Sequence, residues 1–126
     1  MESSENLRVV ICAIARNEEN YIDEWIDYHL NLGIDSIHVY GNDWEFTPKN
    51  KHVFCKRLPR EIKQSEVYNL FLEEKPIPFD WVFFIDIDEF IHLPEGIKIK
   101  QFLDKFNSFS VVKFRWNQIY SQRSKI

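Results

Sequence analysis

This sequence of 126 residues has no excess of basic residues and no long apolar run. Lysine and arginine number 16 against 20 aspartates and glutamates, so no surface suited to a nucleic-acid backbone is expected. No run approaches the roughly 20 apolar residues of a bilayer-spanning helix, and the first six residues carry no lysine or arginine of the kind that begins a signal peptide. We therefore expect a protein that neither binds nucleic acid, nor spans a membrane, nor is secreted.

Cysteine is also rare. The two thiols, Cys12 and Cys55, lie far apart and lack the C-x-x-C or His/Cys spacing of a zinc site. Two such cysteines do not make the disulfide framework of a small secreted domain. We interpret both as reduced thiols, which predicts a cytoplasmic location, including the inner face of a membrane.

Apolar residues are plentiful, at 44% of the chain, and suffice for one buried core. Residues 8–15 (RVVICAIA) form a nearly continuous apolar run, typical of a strand that is covered on both faces. Residues 81–87 (WVFFIDI) form the most apolar segment and the best candidate for a central strand. No internal repeat or low-complexity segment divides the chain, so a single domain over residues 1–126 is predicted.

Helical and strand patterns alternate along the sequence. A first helix is predicted between Asn17, as its N-cap, and Gly33, as its C-cap. The other elements predicted are helices over residues 61–75 and 98–106, and strands over residues 36–40, 53–56 and 110–120. The alternation favours an α/β domain of Rossmann type, with a mostly parallel sheet flanked by helices and residues 8–15 and 81–87 as neighbouring central strands.

Polar side chains follow the predicted strands, where open parallel sheets bind their ligands. They are Arg16, Asn17 and Glu18 after the first strand, Asn42 and Asp43 after the second, and Asp86, Asp88 and Glu89 after the most apolar one. Asp86 and Asp88 share one face if strand geometry persists to its end. Two such carboxylates repel each other, and a bound cation relieves the repulsion. Because Mg²⁺ or Mn²⁺ combines one or two carboxylates with water and phosphates, the pair predicts a metal-diphosphate site.

A plainer interpretation also applies, since D-x-D occurs by chance and acidic residues often begin solvated loops. The context favours a site, because four apolar residues (82–85) directly precede three carboxylates within four residues. The histidines are interpreted without a catalytic role. His29 is expected at the edge of the core with one hydrogen bond, and His92 at the surface, as a minor candidate ligand.

Several motifs occur in a fixed order. They are residues 14–18 (IARNE), 24–29 (EWIDYH), 32–33 (LG), 39–40 (VY), Gln64 with 68–69 (YN), and 81–90 (WVFFIDIDEF). The series covers roughly residues 8 to 118 and resembles the family 2-type glycosyltransferases of the GT-A fold. It is most similar to the branch with K/R-N-E, E-W-x-x-Y/H-H and D-x-D-E-F motifs.

The resemblance implies a domain that binds a nucleotide-sugar diphosphate through Mn²⁺ or Mg²⁺ and transfers the sugar to a hydroxyl of a carbohydrate acceptor. UDP-sugars are the favoured donors. Asp88 matches the metal-binding carboxylate, and Asp86 matches the one nearer the ribose and the metal. The nucleotide pocket would include Arg16, Asn17, Glu18, Asn42, Asp43 and Gln64. The metal would stabilise the charge that develops on the leaving diphosphate.

Two departures from that branch are visible. In its usual D-N-x-S-x-D loop, Trp44 here replaces the serine and Phe46 the second aspartate, which affects nucleotide affinity or base choice. No Asp or Glu follows Asp104, although the inverting members take their general base and acceptor site from the later part of the chain. Glu89 remains the one candidate base, and we expect it instead to orient the metal pair or cap the turn.

We therefore expect a domain without its acceptor part, poorly active alone. Apolar residues near its C-terminus, especially Phe114, Trp116, Ile119 and Tyr120, would then favour self-association or a partner chain. A catalytically silent scaffold or regulatory partner is the main alternative. A phosphohydrolase of the haloacid dehalogenase type also begins with two aspartates two residues apart, but it requires a later acidic pair that is absent after Glu89.

Overall fold

The computed structural model describes residues 7–15, 22–41, 49–58, 63–74 and 76–104. Seven elements lie in these ranges: β1 (Val9–Ile14), α1 (Ile22–Leu32), β2 (Ser36–Gly41), β3 (Val53–Arg57), α2 (Gln64–Glu74), β4 (Trp81–Phe84) and α3 (Ile99–Leu103). The predicted strand over residues 110–120 and the predicted N-cap Asn17 lie outside the described residues. None of the helices in the described ranges is long and apolar enough to cross a bilayer.

The four strands form one sheet in the order β3-β2-β1-β4, and every pair in it is parallel. The predicted α/β class is therefore confirmed, as is the predicted pairing of the first strand with the most apolar segment. All six residues of β1 are buried, because this strand has a neighbour on each side and helices over both faces. Among the described strands, β4 pairs with β1 alone.

Alternate residues of β1 enter two separate cores. Ile11 and Ala13 pack on one face of the sheet with Trp25 of α1, whereas Cys12 packs on the other face with Phe71 of α2. The period of two that places neighbouring side chains on opposite faces thus divides an unbroken apolar run between two helical layers. Burying each large apolar side chain contributes about 1.5–3 kcal/mol.

The end of α1 follows from Gly33, as predicted. Its φ is +115°, a conformation that L side chains rarely adopt. The Gly33 N–H donates to the Leu30 carbonyl at 3.1 Å, and the Ile34 N–H donates to the His29 carbonyl at 3.1 Å. This pair of bonds is a Schellman motif, which satisfies the last carbonyls of the helix. A Cβ on Gly33 would also lie only 3.1 Å from Cγ2 of Ile99.

Both cysteines are free in the structure, as expected. Cys12 is buried within β1, and burial raises the pKa of its thiol to about 12. Cys55 on β3 is partly buried, and burial raises its pKa to about 11. At neutral pH both side chains are therefore protonated thiols, which are poor nucleophiles and poor metal ligands.

Candidate functional site

The candidate site lies at the carboxyl edge of the sheet. Ile14 pairs with Tyr40 and Cys12 with Phe84, so β1, β2 and β4 end at the same edge. Of the residues predicted there, Gln64, Asp86, Asp88 and Glu89 are described by the structure. The others, Arg16, Asn17, Glu18, Asn42 and Asp43, lie outside the described residues.

Gln64, the first residue of α2, reaches across to the segment that follows β4. Its Nε2 donates to Oδ1 of Asp86 at 3.2 Å and also to the hydroxyl of Tyr68. Tyr68 lies one helical turn further along α2 and packs on Phe84, with ring centroids 4.3 Å apart. The structure thus brings together two residues, Gln64 and Asp86, that the motif series had placed in one pocket.

Tyr68 is a polar group at this edge to which the sequence analysis assigned no role. Burial raises the pKa of its hydroxyl to about 12, and the charges of Asp86, Cys12 and Glu89 add to that effect, whereas the hydrogen bond from Gln64 opposes it. The hydroxyl therefore keeps its proton at neutral pH. The sequence could have predicted its contact with Gln64, because Tyr68 follows Gln64 by four residues and so lies on the same helix face.

Residues 86–89 form a turn, which we call the acidic turn. The Glu89 N–H donates to the Asp86 carbonyl at 3.0 Å, and the Asp86 N–H donates to Oε1 of Glu89 at 2.9 Å. Asp86 is partly buried and Asp88 is exposed. Glu89 thus closes the turn with both its main chain and its side chain, in agreement with the expectation that it caps the turn.

The predicted extension of the strand to residue 87 is wrong. β4 ends at Phe84, because the chain then enters the acidic turn and Glu89 takes the Asp86 N–H that a continued strand would offer to a neighbour. Burial nevertheless alternates as the sequence predicted, since Ile85 and Ile87 are in the core. The two aspartates therefore extend from a turn and not from one face of a regular strand.

Three side chains of α1 hydrogen-bond to the main chain just after Asp88. Trp25 Nε1 donates to the Glu89 carbonyl at 2.7 Å. The Tyr28 hydroxyl donates to the Ile91 carbonyl at 2.6 Å, and the Ile91 N–H donates to Nε2 of His29 at 3.2 Å. These contacts involve residues that the sequence analysis interpreted only as core or as parts of a motif.

His29 corrects a sequence prediction. It is fully buried and makes two hydrogen bonds, through Nε2 with Ile91 and through Nδ1 with the Trp25 carbonyl at 2.9 Å. Burial lowers its pKa to about 4, the bond to Trp25 opposes this shift, and the charge of His92 adds to it. The ring is therefore neutral, with the proton on Nδ1 and an acceptor at Nε2. His92 itself is exposed, as predicted.

The carboxylates of the acidic turn suit a hard divalent ion that also binds phosphate. In the part of the chain that the structure describes, no three His, Cys, Asp or Glu side chains are grouped to hold a metal ion. Mg²⁺ usually takes one or two carboxylates and completes its shell with water and substrate phosphates. Asp86 and Asp88 supply oxygen ligands of that type, so the donor set fits a metal-diphosphate.

Comparisons with known proteins point to glycosyl transfer in general terms. A family 92 glycosyltransferase protein of Ricinus communis is 28% identical over 100 residues, which is 71% of this chain. A second one, of Oryza sativa subsp. japonica, is 25% identical over 107 residues, or 77% of this chain. The chain is similar to family 92 glycosyltransferases. It spans 18% of the length of each of these relatives.

Other comparisons do not refine this assignment. No protein-family model matches the chain, and no solved structure gives a significant match. The two plant relatives support glycosyl transfer in general terms. The narrower resemblance to family 2-type enzymes of the GT-A fold, with its motifs, stays a prediction.

Proposed function

We propose that this chain forms the donor-binding part of a glycosyltransferase, with a nucleotide-sugar diphosphate held through Mn²⁺ or Mg²⁺ at Asp86 and Asp88. The observation that carries the proposal is the hydrogen bond between Gln64 and Asp86 at the carboxyl edge of a parallel sheet. The names of the two plant relatives support glycosyl transfer in general.

The described residues have distinct tasks in this proposal. Asp88, exposed in the acidic turn, binds the metal, and Asp86 contributes to the metal and ribose side. Gln64 orients the Asp86 carboxylate, while the protonated Tyr68 hydroxyl adds a neutral polar group beside it. When bound, the ion offsets the negative charge that develops on the departing diphosphate.

The nucleotide itself would lie against the segments that follow β1 and β2. The predicted contacts there are Arg16, Asn17, Glu18, Asn42 and Asp43. β1 and β2 end at the edge where the acidic turn lies, because β1, β2 and β4 are parallel. UDP is the nucleotide to test first.

No described residue is assigned as the general base that takes the acceptor's proton. Oε1 of Glu89 accepts the Asp86 N–H, so its carboxylate supports the acidic turn. A positioned base contributes on the order of 10² to 10⁴ in rate. We therefore expect the described part to bind donor and to need further residues, or a partner chain, for efficient transfer to an acceptor.

Calorimetric titration of the purified chain with UDP and GDP, with and without Mn²⁺, tests the proposal. We expect binding that requires Mn²⁺ and that Asp88→Ala abolishes with little change in melting temperature, because this substitution removes one of two repelling carboxylates. Asp27→Ala, which replaces an exposed aspartate on α1, is the matched control and should bind as the unaltered chain does.

The same titration can reject the proposal. Equal binding by Asp88→Ala and the unaltered chain would exclude the metal assignment. Absence of metal-dependent binding for both nucleotides would leave the silent scaffold as the better description. Release of inorganic phosphate from a phosphomonoester would instead favour the phosphohydrolase.

A further inference from the structure

One face of α1 holds the main chain of the segment that carries the candidate metal ligands. Trp25 bonds to the Glu89 carbonyl, and Tyr28 and His29 bond to the carbonyl and the N–H of Ile91. Positions 25, 28 and 29 are three and four residues apart, so they share one helix face. All three hydrogen bonds are made with backbone atoms of Glu89 and Ile91. They therefore hold the main chain of this segment independently of the side chains that it carries.

Aromatic packing holds the same segment. The Phe90 ring is stacked on His29, with centroids 5.8 Å apart and planes at 20°. Tyr28 meets Phe90 edge to face, with centroids 5.1 Å apart. Trp25 and His29 are fully buried, so these contacts form away from water, where hydrogen bonds are electrostatically stronger.

The bonds from α1 continue directly into the acidic turn. Glu89, whose carbonyl accepts from Trp25, also makes both bonds that close the turn onto Asp86. Asp88 lies between these two residues. The position of Asp88 in the turn is therefore set on one side by β4, which leads into it, and on the other side by α1.

We propose that Trp25, Tyr28 and His29 are positioning residues, which hold Asp86 and Asp88 in place for the metal-diphosphate. This inference rests on the proposed function of the acidic turn. The bond from His29 Nδ1 to the Trp25 carbonyl joins two members of the set and leaves Nε2 free to accept the Ile91 N–H. The helix thereby provides two hydrogen-bond donors, Trp25 and Tyr28, and one acceptor, His29. Their partners are main-chain groups of Glu89 and Ile91.

The test compares single variants of the full chain. Tyr28→Phe deletes the hydroxyl and keeps the ring. His29→Leu removes the acceptor for the Ile91 N–H, whereas His29→Gln keeps an acceptor oxygen near the place of Nε2. Ile26→Val is the matched control, because Ile26 is buried on α1 and belongs to the same core.

Two quantities are measured for each variant. The first is the Kd for UDP with Mn²⁺, or for GDP if it binds the unaltered chain more tightly. The second is amide hydrogen exchange of the peptide that covers residues 85–93. We expect Tyr28→Phe and His29→Leu to raise the Kd about three- to tenfold, the effect of one lost hydrogen bond, and to speed exchange. His29→Gln should restore most of the nucleotide affinity and of the protection from exchange. Ile26→Val should change neither the Kd nor the exchange rate.

The outcomes separate the inference from the function on which it rests. If the unaltered chain binds neither nucleotide with Mn²⁺, the proposed function is wrong and the positioning role falls with it. If the unaltered chain binds and Tyr28→Phe binds equally well, the positioning role alone is wrong, even where exchange is faster. Tyr28→Phe decides the question should His29→Leu fail to fold.

Discussion

Gln64 at the start of α2 donates a hydrogen bond to Asp86, 22 residues further along the chain, over 3.2 Å. The contact joins the helix that covers one face of the sheet to the turn that follows β4. It places an uncharged amide against the carboxylate. This partner orients Asp86 through a hydrogen bond and adds no positive charge that would oppose a divalent ion.

Replacing Gln64 tests that relationship. Gln64→Ala removes a donor from Asp86 and from Tyr68, and we expect metal-dependent nucleotide binding to weaken several-fold. The free energy of unfolding should change by less than about 0.5 kcal/mol, because Gln64 is exposed. Calorimetry and urea unfolding measure the two effects. Gln101→Ala on α3 is the control, and an unchanged Kd in Gln64→Ala would contradict the role of the amide.

Stability should fall in acid because of His29. Its pKa is about 4 in the folded chain and 6.5 when unfolded, so between these values the unfolded state binds a proton that the folded state does not. The free energy of unfolding should therefore decrease as pH falls from about 6.5 to 4, by about 3 kcal/mol for this residue. Burial also lowers the pKa of His38 to about 4, which acts in the same direction.

Urea unfolding at pH 7.5, 5.5 and 4.0 measures this dependence. The His29→Gln variant provides the comparison, because glutamine does not titrate and the slope between pH 6.5 and 4 should be shallower. His38→Gln tests the second histidine separately. Parallel pH profiles for the unaltered chain and His29→Gln would show that His29 takes up its proton in the folded state.

The two described glycines with positive φ should differ in their tolerance of alanine. Gly96 has a φ of +81° and open space around it, so Gly96→Ala costs only the backbone penalty of about 1–2 kcal/mol. Gly33 has a φ of +115°, and a Cβ there would lie 3.1 Å from Cγ2 of Ile99. We expect Gly33→Ala to lower the unfolding free energy more than Gly96→Ala, as measured by urea denaturation. Equal losses would mean that Ile99 moves aside at no cost.

Much of the fold was visible in local patterns. The continuous apolar run of β1 predicted a strand covered on both faces, and all six of its residues are buried. Gly33 predicted the end of α1, since only a glycine easily adopts the conformation that closes a Schellman motif. These features depend on neighbouring residues and on one backbone preference, which a sequence shows directly.

The site was predictable in part. The position of Asp86 after its strand indicated the carboxyl edge of the sheet, and the family resemblance placed Gln64 in the same pocket, where the two side chains are hydrogen-bonded. The roles of Arg16, Asn17, Glu18, Asn42 and Asp43 stay predictions. The bonding of Tyr68 to Gln64 was missed, although their spacing of four residues on α2 was a usable signal.

Local sequence patterns are enough to predict the alternating layers of this protein, β1 as an interior strand and the acidic motif at the edge of the sheet. The central position predicted for residues 81–87 is not seen among the described strands, where β4 pairs with β1 alone. The end of β4, and the burial and two hydrogen bonds that keep His29 neutral, depend on the tertiary structure. The reason is distance along the chain, since Trp25 and Glu89 are 64 residues apart, and His29 and Ile91 are 62 apart. Local patterns carry no information on such pairs, which meet only once the sheet has brought α1 against the segment that follows β4.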